Sequence, residues 1–245
     1  MEDHSISLNK YISQTGVCSR READQWIDAG RVLLNGVVAR KGNRVAAGDT
    51  VTIDGEAIGE KPKEVYIALH KPVGITCTTD LKDKDNLIDF VAYPKRIFPI
   101  GRLDKPSSGL IFLTNDGDIV NEILREENYH EKEYIVKVNR PITRTFIQRM
   151  GSGLPILDTI TKECEVEKVS QYVFRIVLTQ GLNRQIRRMC EFLGYKVVSL
   201  KRVRIMNVQL DGIKSGQWRD LSPQEIKEIK TSIQRSKEKP PRQGR

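Results

Sequence analysis

The sequence predicts an α+β protein in two unequal parts, and three observations carry that reading. Residues 7–55 hold two short stretches of helical apolar spacing, followed by strand signals on either side of Asn35-Gly36. From Val65 onward β-branched and alternating apolar runs dominate: VYIAL at 65–69, GLIFLT at 109–114, EYIVKV at 133–138 and VFRIVLT at 173–179. The segments between those runs are too irregular for repeated βαβ crossovers, which leaves a mixed, largely antiparallel sheet with flanking helices. The polar stretch ending at Glu64 reads as a linker, so the expected boundaries are a small module at 1–60, a linker at 61–64, a large domain at 65–234 and a basic, disordered tail at 235–245.

In the small module Leu8, Tyr11 and Ile12 fall at helical spacing, and Thr15-Gly16 ends that helix. Ser19 through Glu22 form a capping-box pattern that opens a second helix, with Ala23, Trp26 and Ile27 on its apolar face and Gly30 at the left-handed cap. Strands are expected at 31–34 and 37–39, joined by Asn35-Gly36, and at 50–53. Arg20 and Arg21 occupy the first turn of the second helix, where the macrodipole disfavours cations. Two guanidinium groups beside free helix amides suit a phosphate, although two solvated arginines satisfy the pattern as well. In the large domain, helices are expected at 86–92, 116–125, 143–149 and 183–193, the last closed by Gly194.

The 245 residues carry a net charge of +9, which points toward a polyanion. Residues 175–204 contain eight basic residues and one acidic, whereas the first 62 contain eight basic and nine acidic, so any nucleic-acid surface is a local patch. Cys18, Cys77, Cys164 and Cys190 form no CxxC pair, and His4, His70 and His130 stand apart, so neither a disulfide framework nor a metal site is expected. No apolar run approaches a membrane span, and the acidic, polar start lacks a signal peptide's pattern; the expectation is a cytoplasmic chain with no membrane partner. Walker, GxGxxG and GxSxG patterns are missing, which removes support for nucleotide cofactors and serine hydrolysis.

Three further segments stand out: Gly101-Arg-Leu-Asp104, His130-Glu-Lys-Glu-Tyr134, and the run from Gly181 to Met189 that opens a helix. Alone, Asp104 reads equally as a loop carboxylate that pairs with Arg102 or caps a turn. In this order, behind a module that resembles an S4 RNA-binding domain, the segments resemble the RsuA/RluB/RluE/RluF family of pseudouridine synthases over nearly the whole chain. Ser107, HEKEY, QGLNRQIRRMCE and RIMNV look like its F-type branch, which acts on 23S rRNA near the peptidyl-transferase centre and in some members also on the anticodon loop of tyrosine tRNA.

The resemblance implies an enzyme that isomerises uridine in RNA with no cofactor; for the oligomeric state a monomer is the default expectation. Asp104 would be its catalytic nucleophile or base, Tyr134 the aromatic face for the target base, and Arg187 the basic partner of the carboxylate. On a helical wheel for 183–193, Arg187 flanks the apolar stripe of Ile186, Met189, Cys190 and Leu193, so it is expected to reach inward. Arg184 and Arg188 lie roughly opposite, facing RNA phosphate or solvent. Lys10, Lys71, Arg102 and Lys132 complete the expected RNA contacts with Arg20 and Arg21. A non-catalytic S4-type binding or ribosome-assembly factor is the alternative, and an RNA glycosidase that releases the base to water ranks behind it. Retention of Asp104, Tyr134 and Arg187 together favours the enzyme.

Overall fold

The computed structural model describes residues 5–238, in two compact units. The first comprises the chain up to Glu64 together with residues 93–96 and 115–117; the second comprises the remainder. In chain order the first contains β1 (Ile6–Ser7), α1 (Leu8–Gln14), α2 (Arg20–Asp28), β2 (Val32–Leu34), β3 (Val37–Val38), β4 (Arg44–Val45), β5 (Val51–Ile53) and β6 (Glu56–Ala57). β1 pairs with β4, and the other strands form an antiparallel sheet in the order β3-β2-β5-β6. Leu8 and Ile12 of α1, Ala23 and Ile27 of α2, and Val32, Val45 and Val51 of the strands form its core.

Local signals explain these elements. Ser19 Oγ accepts the Glu22 N–H at 3.2 Å while the Glu22 carboxylate accepts the Ser19 N–H at 2.7 Å, so the capping box is reciprocal. Those bonds hold the Glu22 carboxyl below its usual range. Asn35 and Gly36 both have positive φ, as a type I′ hairpin turn requires.

Along the rest of the chain come β7 (Tyr66–Lys71), α3 (Leu87–Val91), β8 (Phe98–Ile100), β9 (Ser108–Thr114), α4 (Gly117–Leu124), β10 (Lys132–Val138), α5 (Arg144–Gly151), β11 (Pro155–Ile156), β12 (Thr159–Ile160), β13 (Glu165–Lys168), β14 (Val173–Leu178), α6 (Gln185–Phe192), β15 (Val197–Ile205), β16 (Val208–Gln209), β17 (Trp218–Asp220) and α7 (Pro223–Glu238). Nine strands form one sheet in the order β13-β14-β10-β15-β9-β7-β17, with β16 beside β15 and β8 beside β9. Every pairing is antiparallel except that of β9 with β15.

Gly109 sits on this parallel seam with φ +113°, and a Cβ there would lie 2.2 Å from the Arg202 carbonyl oxygen, so only glycine lets the two backbones approach. Helices α4 and α7 cover one core, built on Tyr66, Ala68, Leu110, Phe112 and Ile205. Helices α5 and α6 cover another, built on Val136, Phe174, Ile176 and Leu200. No helix among the described residues is long and apolar enough to cross a membrane.

Two expectations fail. The centre of the sheet, β15, was not among the expected strands, because its VVSLKRVRI pattern places Lys201, Arg202 and Arg204 where a basic surface reads more naturally than a core strand. Residues 235–238 finish helix α7, which carries Ile229 and Ile233 into the core, so the expected disordered tail does not begin at Arg235; the remaining residues, 239–245, lie outside the described ones.

Candidate active site

Asp104 lies in the loop from β8 to β9, and hydrogen bonds fix that loop on both sides of it. The Leu103 N–H donates to Cys77 Sγ at 3.3 Å. The Ser107 N–H donates to the Asp104 carbonyl at 2.9 Å, closing a tight turn, and the Gly74 N–H donates to the Lys105 carbonyl at 2.9 Å. The backbone is held while the carboxylate, 32% exposed, stays open to a cleft of ≈ 470 Å³ that includes its open mouth. Tyr134 from β10 and Leu178, Leu182, Ile186 and Leu200 supply apolar walls. Gln180 and Gln185, both buried, supply polar ones.

Arg187 projects from the first turn of α6 with only 11% of its side chain exposed. Its Nη2 donates to Ser107 Oγ at 2.9 Å and to the Pro106 carbonyl at 3.2 Å, which aligns the guanidinium beside the Asp104 loop. Nε lies 3.5 Å from Asp104 Oδ2, beyond hydrogen-bond length, and has no hydrogen-bond partner among the described residues. Arg184 Nη1 approaches the same oxygen at 3.8 Å. Asp104 therefore keeps lone pairs uncommitted between two cations, next to an aromatic face in a largely apolar cleft. A carboxylate so placed can attack an electron-deficient carbon or take a proton, while the ring can stack on an unstacked base.

Residues 65–192 match the model of the RNA pseudouridylate synthases, and residues 7–51 match that of the S4 domain. This chain belongs to the RNA pseudouridylate synthase family. It is 57% identical to the dual-specificity RNA pseudouridine synthase RluF of Escherichia coli O6:H1 over 238 residues, covering 96% of this chain and 82% of that protein. It is 34% identical to the ribosomal large subunit pseudouridine synthase B of Bacillus subtilis over 232 residues, covering 91% and 95% of the two chains. A crystal structure of a pseudouridylate synthase superposes with a TM-score of 0.69 at 28% identity, covering 92% of this chain and all of that one. The chain is an RNA pseudouridine synthase and isomerises uridine in RNA.

Of the residues expected to serve this pseudouridine synthase, the fold brings Asp104, Tyr134, Arg187 and Arg102 to one cleft. Arg184 joins them, contrary to its expected outward direction: it precedes α6 in a left-handed conformation with φ +50°, so a helical wheel does not apply to it. Asp104 pairs with Arg184 and Arg187, whereas a bare loop reading would pair it with Arg102. Arg188 turns back onto its own loop, donating to the carbonyl and the side-chain oxygen of Asn183.

Lys71 is not a surface contact, and Lys132 is half-buried. Lys71 is fully buried and donates to the Pro72 and Ile75 carbonyls at 2.8 Å each, bracing the turn that follows β7; burial lowers its pKa. Lys132 donates to the His130 carbonyl, and burial, followed by the charge of Arg202, lowers its pKa to about 8. Arg20 and Arg21 are exposed on the first turn of α2, and Lys10 is half-buried on α1. Sequence reasoning passed over the structural parts played by Cys77, Ser107, Gln180, Gln185 and Arg202. Ser107 stands three residues after Asp104, and it and the run that contains Gln180 and Gln185 figure in the sequence only as branch marks; Cys77 and Arg202 have no local pattern.

Proposed function

We propose that this synthase modifies a specific uridine of 23S rRNA near the peptidyl-transferase centre, that a tyrosine tRNA anticodon loop is a second substrate, and that it acts as a cytoplasmic monomer. Asp104 is the catalytic group, Tyr134 stacks the extruded uracil, and Arg187 holds the carboxylate. The observation that carries these roles is the meeting of all three side chains in one cleft, with Asp104 anchored by its backbone and uncommitted at its side chain. The printed dual specificity of the 57% identical relative supports two RNA targets.

In the reaction the N1–C1′ bond breaks, the base rotates, and C5 joins C1′. The C5 proton leaves to solvent and N1 takes one up, so no electron donor or acceptor is required. Asp104 serves either by bonding transiently to C1′, as in retaining glycoside chemistry, or by removing a proton from the sugar. Carbodiimide mapping of 23S rRNA and tRNA incubated with the purified protein tests the targets: a new pseudouridine is expected in each, and modification confined to neither overturns the assignment. Sedimentation at micromolar concentration should give one chain.

Arg20 and Arg21, exposed on α2, contact phosphates in this reading. The double variant Arg20→Ala/Arg21→Ala should flatten the slope of log affinity against log salt by about 1 to 2, with turnover at saturating RNA retained. Filter binding across a salt series measures it.

A further inference from the structure

The cleft contains a side-chain amide whose orientation the backbone dictates. Leu182 N–H donates to Gln185 Oε1 at 3.1 Å, so the opposite corner of that amide is the nitrogen; Gln185 Nε2 in turn donates to Gln180 Oε1 at 3.2 Å. Gln180 Oε1 also accepts the Lys162 N–H at 3.1 Å. A backbone N–H can only donate, so two such groups, at Leu182 and Lys162, fix which end of each glutamine is oxygen. Neither amide can flip without setting donor against donor inside a buried pair.

The consequence falls on Gln180 Nε2. Its oxygen is saturated by two bonds, its nitrogen has none among the described residues, and Gln180 lines the same cleft as Asp104 and Tyr134. We propose that Gln180 is a specificity-determining residue, a fixed donor that reads one carbonyl oxygen, O2 or O4, of the pyrimidine stacked on Tyr134. This rests on the functional reading above. If the contact is to O4, the same donor faces the exocyclic amine when cytosine enters, and two donors meet with no acceptor between them.

The test uses the full chain and a synthetic stem-loop spanning the mapped uridine, tritiated at C5. Gln180→Glu retains an oxygen for the Lys162 N–H and the Gln185 amide but turns the free donor into an acceptor. Single-turnover tritium release at saturating RNA should fall about 10- to 100-fold, with RNA affinity within threefold of wild type. Replacing the target by 2-thiouridine or by 4-thiouridine should slow the wild type at one of the two positions and leave the variant indifferent there, a coupling that a merely structural glutamine would not produce. Wild-type turnover by Gln180→Glu, or thio effects of equal size in both proteins, overturns the proposal. No turnover by the wild type on any RNA overturns the functional reading itself, and this one with it.

Discussion

Glu133 and Asp104 are two carboxylates of one domain, each between two arginines, and they are treated oppositely. Glu133, 16% exposed, accepts from Arg175 Nε at 2.7 Å and from Arg204 Nε at 2.9 Å, and those arginines are extended by Glu165 and Glu131. Hydrogen bonds from Arg175 and Arg204 hold its carboxyl below the usual range, and the bonds to Glu133 and Glu165 push Arg175 upward. Asp104 has its two guanidinium groups at 3.5 and 3.8 Å, too far to consume its lone pairs. The first arrangement closes a structural network; the second keeps a carboxylate in reserve. They lie close in the chain's logic too, because Glu133 adjoins Tyr134 and strand alternation sends the pair to opposite faces of the sheet.

Exchanging the properties of the two carboxylates breaks the comparison. Asp104→Asn keeps the shape and removes the charge, so turnover should fall by at least about 1,000-fold with RNA affinity within a few-fold. Single-turnover tritium release reads it, and appreciable residual turnover would unseat Asp104. Arg187→Met should cost about 100-fold in the same assay, and Arg187→Lys less, since a lysine retains the charge without the planar guanidinium that sets Nη2 on Ser107 and Pro106 and Nε toward Asp104. Equal losses in the two variants would mean that charge contributes nothing.

Glu133→Gln should leave turnover at saturating RNA within about threefold and lower stability by about 1–3 kcal/mol, because two arginines lose a saturated acceptor. The pH dependence has a definite sign. The folded-state pKa is depressed, so the contribution of Glu133 is present above the unfolded value near 4.5 and is lost as pH falls through the lower folded one. Urea titrations from pH 3 to 7 should therefore show less acid sensitivity in the variant than in the wild type.

The smallest effect is expected at Lys132, the preceding residue, which shares the face of Tyr134. Its pKa is lowered to about 8 by burial, so the unfolded chain holds more protons above that pH, and wild-type stability should rise between about 8 and 10.5. Lys132→Met should be at least as stable at pH 7 and show a flatter profile over that range. A profile as steep as the wild type's would place the titration elsewhere.

How much of this was legible in the sequence depended on how local the cause was. The Ser19 capping box, the Asn35-Gly36 hairpin and Gly194 after α6 act within a few residues, and they stand where spacing put them. Asp104, Tyr134 and Arg187 follow from three segments that together, in order, carry a family resemblance, while their meeting is a property of the sheet order. Burial was the least legible. Lys71 and Arg202 carry charges that composition assigns to a surface, yet Lys71 is sealed beneath a turn and Arg202, 4% exposed, donates to the Leu110 carbonyl across the seam. The helical wheel failed at Arg184 because one left-handed residue precedes the helix, and periodicity has no term for that.

The parallel seam at Gly109 also joins distant parts of the chain. Asp104 precedes β9, Arg187 precedes β15, and these two strands join through a contact about ninety residues apart in sequence, Lys201 with Ser108 and Arg202 with Gly109. Closure of so long a loop is a late event in folding, since its entropy must be overcome before the contact stabilises anything. A nascent chain synthesised only as far as α6 holds Asp104, Tyr134 and Arg187 and lacks β15, the strand that stands between β9 and β10 in the sheet.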